Sequence, residues 1–146
     1  MDTGHWIVNC DLIETPYGFI YKITNLCSNK KYIGKKQIKT VLKRKPLKGK
    51  KNKRHSEKET DWKTYTSSSN DLNADIITLG KDKFTFEIIQ FCTCKWDLAY
   101  YEAYYQFLLN VLITDDYYNG IINLRIGKIP NKLKGTIRLP VDLPKV

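Results

Sequence analysis

The chain has 146 residues, a formal net charge of +10 and 42% hydrophobic residues, which suits one domain with a buried core. No run reaches the roughly 18 apolar residues of a membrane-spanning helix, and the N-terminus lacks the basic start and apolar core of a secretory signal. We therefore expect an intracellular protein, in the cytoplasm of its host cell, with no membrane partner.

The first elements form a hairpin followed by a long basic segment. Residues 18–24 alternate β-branched and aromatic residues and predict a strand. Asn and Ser in residues 25–30 favour a turn, and residues 31–34 predict a short second strand. Residues 35–61, interrupted by Pro46 and Gly49, predict a basic loop, and a loop of this length in a compact domain is usually functional or disordered.

The second half of the chain predicts two helices and a third strand. Ser68 or Ser69 suits the N-cap of a helix over 71–79, with Gly80 just past its end. Residues 84–91 predict a strand, and residues 97–110 a helix packed on the sheet. We expect an α/β (α+β) protein with a three-stranded antiparallel sheet flanked by helices. It would comprise an N-terminal extension (1–17), a domain (18–123) and a proline-containing irregular tail (124–146).

The four cysteines suggest no metal centre. Cys10, Cys27, Cys92 and Cys94 are expected as reduced thiols. The Cys92-x-Cys94 spacing is not that of zinc ligands, and the chain has only two histidines, so a structural zinc site is not expected.

Positive charge is concentrated in one segment. Thirteen Lys and Arg residues and no Asp or Glu lie between Lys30 and Arg54. Such a block is typical of a phosphate-binding patch on nucleic acid. A solvated, disordered loop or a ribosomal-protein-like RNA contact explains the charge alone equally well. The candidate nucleic-acid-binding residues are Lys35, Lys43, Lys48, Lys50, Lys51 and Lys53.

Two short motifs carry a family resemblance. The segments "FIY" at 19–21 and "YIG" at 32–34 resemble the paired signature of the GIY-YIG endonuclease superfamily, and the motif tyrosines are eleven residues apart. Phe19 stands where the first motif usually has glycine. Because side chains alternate along a strand, we align Tyr21, and not Gly18, with the signature. The resemblance runs from about residue 18 to 123. It includes "DWKTYTSSS", a helix with a single acidic residue, Glu102, and "DYYNG" with Asn119.

The resemblance implies hydrolysis of a DNA phosphodiester bond, assisted by one divalent cation, Mg²⁺ or Mn²⁺. Tyr21 or Tyr32 would deprotonate the attacking water, although a phenol with a pKa of about 10 is a poor base unless nearby cations stabilise phenolate. We expect Lys35, Lys36 and the region around Arg44 to lower that pKa and to hold phosphate. From the strand pattern alone, plain packing of both tyrosines is the simpler interpretation.

Gly34 and an arginine are further residues of the implied site. Gly34 matches the family glycine that allows the backbone to approach the active site, or it is an ordinary strand-ending glycine. Arg44 is the best positional match for the catalytic arginine, but Pro46 would end a helix there. Arg54 is the alternative. His55 would transfer a proton or simply be solvated.

Glu102 is the metal ligand that the resemblance implies. It lies at the edge of the core-facing stripe of its helix, where a carboxylate can reach a cleft. One carboxylate suits Mg²⁺, which keeps several of its waters. Asn119 would position Glu102 or a metal-bound water, or it is a turn residue before Gly120. On pattern alone, Glu102 is a surface residue.

These inferences predict a divalent-metal-dependent DNA endonuclease, a freestanding phage or mobile-element enzyme of the homing or restriction type. Specificity would come from the basic loop, from a homodimer or from a partner, since too few residues follow Asn119 for a recognition domain. The alternative is a non-catalytic nucleic-acid-binding protein that keeps the nuclease fold.

Overall fold

The computed structural model describes residues 1–52 and 54–137, with Arg44 described by its backbone alone. The strands in chain order are β1 (Ile7–Val8), β2 (Gly18–Asn25), β3 (Lys31–Gln37), β4 (Lys39–Arg44), β5 (Arg54–Glu59) and β6 (Phe84–Cys92). The helices are α1 (Asn70–Leu79) and α2 (Lys95–Leu108).

The central sheet has four strands in the order β1-β6-β2-β3. Strand β2 is antiparallel to both of its neighbours, whereas β1 is parallel to β6. The expected three-stranded antiparallel sheet is therefore corrected to a mixed sheet of four. A strand of only two residues, Ile7 and Val8, is too short to show an alternating pattern in the sequence.

The segment predicted as a loop over 35–61 instead extends β3 to Gln37 and forms a second, two-stranded sheet. Strands β4 and β5 pair from Lys39↔Glu59 to Arg44↔Arg54. Buried Ile38 anchors the base of this hairpin, because its N–H donates to the Tyr17 carbonyl at 2.9 Å and its own carbonyl accepts from Thr60 at 2.8 Å. We call residues 39–59 the hairpin, and its tip consists of 45–52 among the described residues.

The sheet is covered on both faces. On one face, Phe19, Tyr21 and Ile23 of β2 pack in a cluster that includes Trp6, Trp62 and Leu72 of α1. On the other, Ile20 and Ile33 pack with α2 residues Leu98 and Tyr101. Helices α1 and α2 therefore lie on opposite sides of β2, the strand that carries Tyr21, and help to bury both of its faces.

The helix boundaries follow from their caps. The Ser69 hydroxyl accepts from the Leu72 N–H at 3.3 Å, and Gly80 follows α1 with a φ of 96°, which confirms the predicted caps. Helix α2 begins at Lys95 because the Asp97 carboxylate accepts from the N–H groups of Thr93 and Cys94, each at 2.8 Å.

The tail is irregular as far as it is described. Between 124 and 137 only a short 3₁₀ turn forms, over Asn131–Leu133. The last prolines, Pro140 and Pro144, lie outside the described residues. Within 1–52 and 54–137, no helix has the length and hydropathy that would let it cross a membrane.

Candidate active site

Two tyrosine rings cover Gly34. Tyr21 is the register partner of Gly34 across β2 and β3, and Tyr32 lies two residues before it on the same face of β3. The Tyr21 and Tyr32 ring centroids are 6.1 Å apart, and Tyr65 packs edge-on against Tyr21 at 6.2 Å. A Cβ atom on Gly34 would lie 2.6 Å from Tyr21 Cζ and 2.8 Å from Tyr32 Cε1. Glycine is therefore required here because both rings occupy the space of a side chain.

Asn119 fixes the backbone between the two motif residues Tyr32 and Gly34. The Ile33 N–H donates to Asn119 Oδ1 at 3.1 Å, and Asn119 Nδ2 donates to the Ile33 carbonyl at 2.8 Å. Gln106 of α2 donates to the same carbonyl at 3.0 Å. Strand β3 is an edge strand, so these amides replace the hydrogen bonds of a missing neighbour. The Asn119 amide therefore holds the part of β3 that carries Tyr32 and Gly34.

Glu102 reaches the same edge of β3 from α2. Its carboxylate Oε1 lies 3.8 Å from Lys35 Nζ, and the side chain is 20% exposed. Burial raises the pKa of Glu102, while the Lys35 ammonium and the Lys35 backbone N–H oppose this shift. Its charge is close enough to raise the pKa of Tyr21 and of Tyr32. The negative charge of Glu102 therefore acts on both motif tyrosines.

Burial dominates the protonation of the tyrosines. It raises the pKa of Tyr21 well above its ordinary value, and the neighbouring Tyr32, Tyr65 and Glu102 raise it further. Burial also raises the pKa of Tyr32, against a smaller opposing effect of a hydrogen bond with Ser68. The expectation that neighbouring lysines lower these pKa values is therefore wrong for the protein without substrate or metal.

The two expected lysines are engaged elsewhere. Lys35 is the partner of Glu102. Lys36 pairs with Asp61 at 2.8 Å, and its Nζ lies 3.9 Å from the Tyr65 ring centroid. The Lys36 ammonium lies at the rim of the tyrosine pair, over Tyr65. The charges of Lys35 and Lys36 are each partly neutralised by a carboxylate.

The remaining candidates lie on the hairpin. Arg54 is exposed on β5, and its Nε donates to the Lys45 carbonyl at 3.3 Å. His55 is exposed beside it, opposite Lys43. Lys43, Lys48, Lys50 and Lys51 are also exposed, whereas Lys53 and the Arg44 side chain lie outside the description. Ring contacts join Tyr21, Tyr32 and Gly34 and, through Tyr65, Lys36, and the Lys35–Glu102 ion pair lies next to them along β3. We call these residues the tyrosine cluster, and no described contact links Arg54 to it.

Sequence reasoning did not single out three residues that contact the tyrosines or β3, namely Tyr65, Ser68 and Gln106. Tyr65 and Ser68 both lie in "DWKTYTSSS", the segment that contributed to the resemblance, so the signal was present but not assigned to single side chains. Gln106 follows Glu102 by four residues on α2, which places both side chains on one helix face. That spacing was a signal for a second polar residue facing β3.

A family model described as "Putative endonuclease segE, GIY-YIG domain" matches residues 6–122. The chain belongs to the GIY-YIG endonuclease superfamily. The match contains the sheet, the hairpin, both helices and Asn119, and it begins at Trp6, in the segment that we expected to be an extension. No curated protein and no solved structure gave a significant match.

GIY-YIG nucleases are generally divalent-metal dependent, and the donor set here is small. Within 1–52 and 54–137, no group of three or more His, Cys, Asp or Glu side chains is arranged to hold a metal ion. Mg²⁺ is commonly held by one or two carboxylates together with water and substrate phosphate oxygens. A single, largely desolvated carboxylate at Glu102 fits such a site, because a cation would compensate a negative charge that burial disfavours.

Proposed function

We propose that this GIY-YIG protein is a divalent-metal-dependent endonuclease that hydrolyses phosphodiester bonds of DNA. The observation that carries the proposal is the packing of Tyr21 and Tyr32 over Gly34 on the edge strand β3, with Glu102 paired to the next residue of that strand, Lys35. Membership of a family of endonucleases supports a nuclease-type function.

We assign proton abstraction from the attacking water to Tyr21, with Tyr32 as the alternative. In the resting protein the Tyr21 phenol is protonated at neutral pH, because burial raises its pKa. Phenolate must therefore form as the substrate complex assembles and positive charge accumulates near the ring. Lys36, which faces Tyr65 and Asp61, contributes part of that charge at the rim.

Glu102 is assigned as the metal ligand. When bound there, Mg²⁺ or Mn²⁺ would supply positive charge that stabilises phenolate and the negative charge developing on the phosphate. The Lys35 ammonium helps to keep the Glu102 carboxylate ionised, since it opposes the effect of burial on its pKa. Asn119 and Gln106 keep the β3 backbone in place beside this carboxylate.

The basic residues are assigned to DNA binding, with a catalytic contact from Arg44 or Arg54. The planar guanidinium of arginine suits a phosphate better than an ammonium does. Lys43, Lys48, Lys50, Lys51 and Lys53 would neutralise backbone phosphates without regard to sequence. Specificity then depends on the hairpin, on a second copy of the chain or on a partner.

The test is nicking of supercoiled plasmid DNA, followed on agarose gels with Mg²⁺, with Mn²⁺ and with EDTA. We expect conversion to open-circular or linear DNA with either ion and none in EDTA. Salt-sensitive binding without cleavage under any divalent cation would contradict the proposal and favour a non-catalytic nucleic-acid-binding protein.

A further inference from the structure

The two faces of the hairpin differ in charge. Residues directly opposite each other in an antiparallel pair project to the same side. One side carries Lys39, Val41, Lys43, His55, Glu57 and Glu59, with Lys39 Nζ 3.8 Å from Glu57 Oε2. The other side carries Thr40, Leu42, Ser56, Lys58 and Arg54 and, among the described side chains, no acid. We call the second side the acid-free face.

The acidic side is turned toward the N-terminal segment. Lys39, Val41, Glu57 and Glu59 line a cleft of about 580 Å³. Asp2 and Glu14 line the same cleft and add further negative charge. On this side Lys39 is paired with Glu57, and Lys63 with Asp2 and Glu59, whereas the positive charges of the acid-free face have no acid beside them among the described side chains of the hairpin. The acid-free face is therefore the more favourable side for nucleic acid.

The outer end of the hairpin places like charges opposite each other. Arg44 is the register partner of Arg54, and Lys43 lies in the neighbouring residue pair. Like charges directly opposite each other destabilise an antiparallel pair. Exposed lysines at the tip increase this repulsion: Lys45, Lys48, Lys50 and Lys51. A bound polyanion would remove the repulsion, whereas in free solution only counterions offset it.

We propose that the hairpin enters the major groove of duplex DNA with its acid-free face toward the bases. The major groove is about 12 Å wide and accepts a two-stranded ribbon, whereas the minor groove is about 6 Å wide and does not. Thr40 and Ser56 can hydrogen-bond to base edges, and Leu42, 37% exposed, can contact a thymine methyl group. Lys58 and Arg54 then bind phosphates. The deep, narrow major groove of duplex RNA does not admit such a ribbon.

This geometry links binding to the tyrosine cluster and rests on the proposed function for its choice of DNA. Strand β4 begins two residues after Gln37, the end of β3, whose residues Lys35 and Lys36 line the cluster. A duplex held by the hairpin is therefore kept close to Tyr32 and Glu102.

A matched pair of variants tests the orientation. Lys58→Gln removes a charge from the acid-free face, and Lys39→Gln removes one from the opposite side of the same hairpin. In gel-shift titrations with duplex DNA and EDTA, we expect Lys58→Gln to weaken binding and to reduce the salt slope by about 0.9. Lys39→Gln should leave both quantities close to wild type. Equal effects, or a larger effect of Lys39→Gln, would overturn the orientation.

Dimethyl sulfate tests the groove directly, because it methylates guanine N7 in the major groove and adenine N3 in the minor groove. We expect protection of guanine N7 that is weaker for Lys58→Gln than for Lys39→Gln. Protection confined to adenine N3, no N7 protection by a protein that binds the duplex, or tighter binding to duplex RNA of the same sequence would overturn the proposal.

Plasmid nicking separates failure of this inference from failure of the proposed function. A protein that nicks DNA without protecting guanine N7 contradicts the role of the hairpin alone. A protein that neither nicks nor binds DNA contradicts both.

Discussion

The tyrosine cluster and the hairpin differ in burial and charge, and the chemistry proposed for the cluster and the DNA binding proposed for the hairpin depend on different physical effects. Tyr21 is 1% exposed, and two rings fill the space above Gly34. The rate of the proposed reaction therefore depends on the positions of single atoms. The hairpin is exposed and rich in lysine, so its action depends on summed charge. We therefore expect substitutions in the cluster to change the rate of cleavage, and substitutions in the hairpin to change the affinity for DNA and its salt dependence.

The largest effect is expected from Gly34→Ala. The added Cβ would lie within 3 Å of carbons of both Tyr21 and Tyr32, so the rings must move. Overpacking of this kind typically destabilises a protein by about 1–3 kcal/mol. We expect a comparable loss in the free energy of unfolding, measured in urea, and a fall in nicking rate of more than about 10²-fold.

Gly127→Ala is the matched control for that substitution. Among the described residues other than its chain neighbours, no atom lies within 4 Å of a Cβ added at Gly127, so stability and nicking should both stay close to wild type. Wild-type stability and activity in Gly34→Ala would show that the rings do not depend on this glycine.

The next effect is expected from Tyr21→Phe, which keeps the ring and removes the hydroxyl. Loss of general base catalysis should lower the nicking rate by about 10²-fold or more, with gel-shift affinity nearly unchanged. Because the pKa of Tyr21 is raised, its phenolate fraction should increase about tenfold per pH unit, and the wild-type rate should rise with pH through the neutral range. The rise should be absent in Tyr21→Phe.

Tyr100→Phe is the control, because this ring is exposed on α2 and stacks on Trp96. It should leave the rate and its pH dependence unaltered. If Tyr21→Phe is as active as wild type, the base is not Tyr21, and Tyr32→Phe becomes the variant to measure.

A smaller effect, on binding alone, is expected from replacing Lys48, Lys50 and Lys51 by alanine. Each lost phosphate contact should reduce the salt slope by about 0.9, while the nicking rate at saturating protein should change little. The control with equal loss of charge replaces Lys128, Lys132 and Lys134, which are exposed after α2. Identical slopes for the two triple variants would exclude the tip from the DNA interface.

The smallest effect is expected on stability in acid, and it contrasts the two histidines. Burial and the charge of Lys81 lower the pKa of His5 from 6.5 to about 4. Between these values the unfolded chain binds a proton that the folded chain does not, so the free energy of unfolding falls as the pH drops from about 6.5 to about 4. In urea titrations, His5→Phe should show a shallower fall than wild type.

The control for this pH effect is His55→Gln, which changes an exposed hairpin residue. It should follow the wild-type dependence on pH. A fall as steep in His5→Phe as in wild type would assign the acid sensitivity to other groups.

The main strands and helices were predictable because their patterns are local. The Ser69 cap, Gly80 and the apolar residues of β2 and β6 each indicate one element. The hairpin was not predictable, since β5 reads RHSEKE and has no apolar alternation. Its base is held by the hydrogen bonds of Ile38 with Tyr17 and Thr60, which join residues distant in sequence.

For the site, the tyrosine motifs and Glu102 could be selected from the sequence, but their electrostatics could not. The sequence places many lysines near Tyr21, which suggested a lowered pKa. The structure buries the ring and pairs the nearest lysines with Asp61 and Glu102, so the shift has the opposite sign. The role of Asn119 likewise depends on β3 being an edge strand, which no local pattern reveals.

In the proposed function, the tyrosine cluster performs metal-assisted cleavage while the hairpin binds the DNA. The most direct measurement compares Glu102→Gln with wild type by plasmid nicking in Mg²⁺ and by gel shift in EDTA. Glutamine keeps the size and helix propensity of the side chain but removes its charge. We expect Glu102→Gln to lose nicking activity while its DNA affinity equals or exceeds that of wild type, because a carboxylate without its metal repels phosphate. Nicking by Glu102→Gln at the wild-type rate would contradict the proposed function.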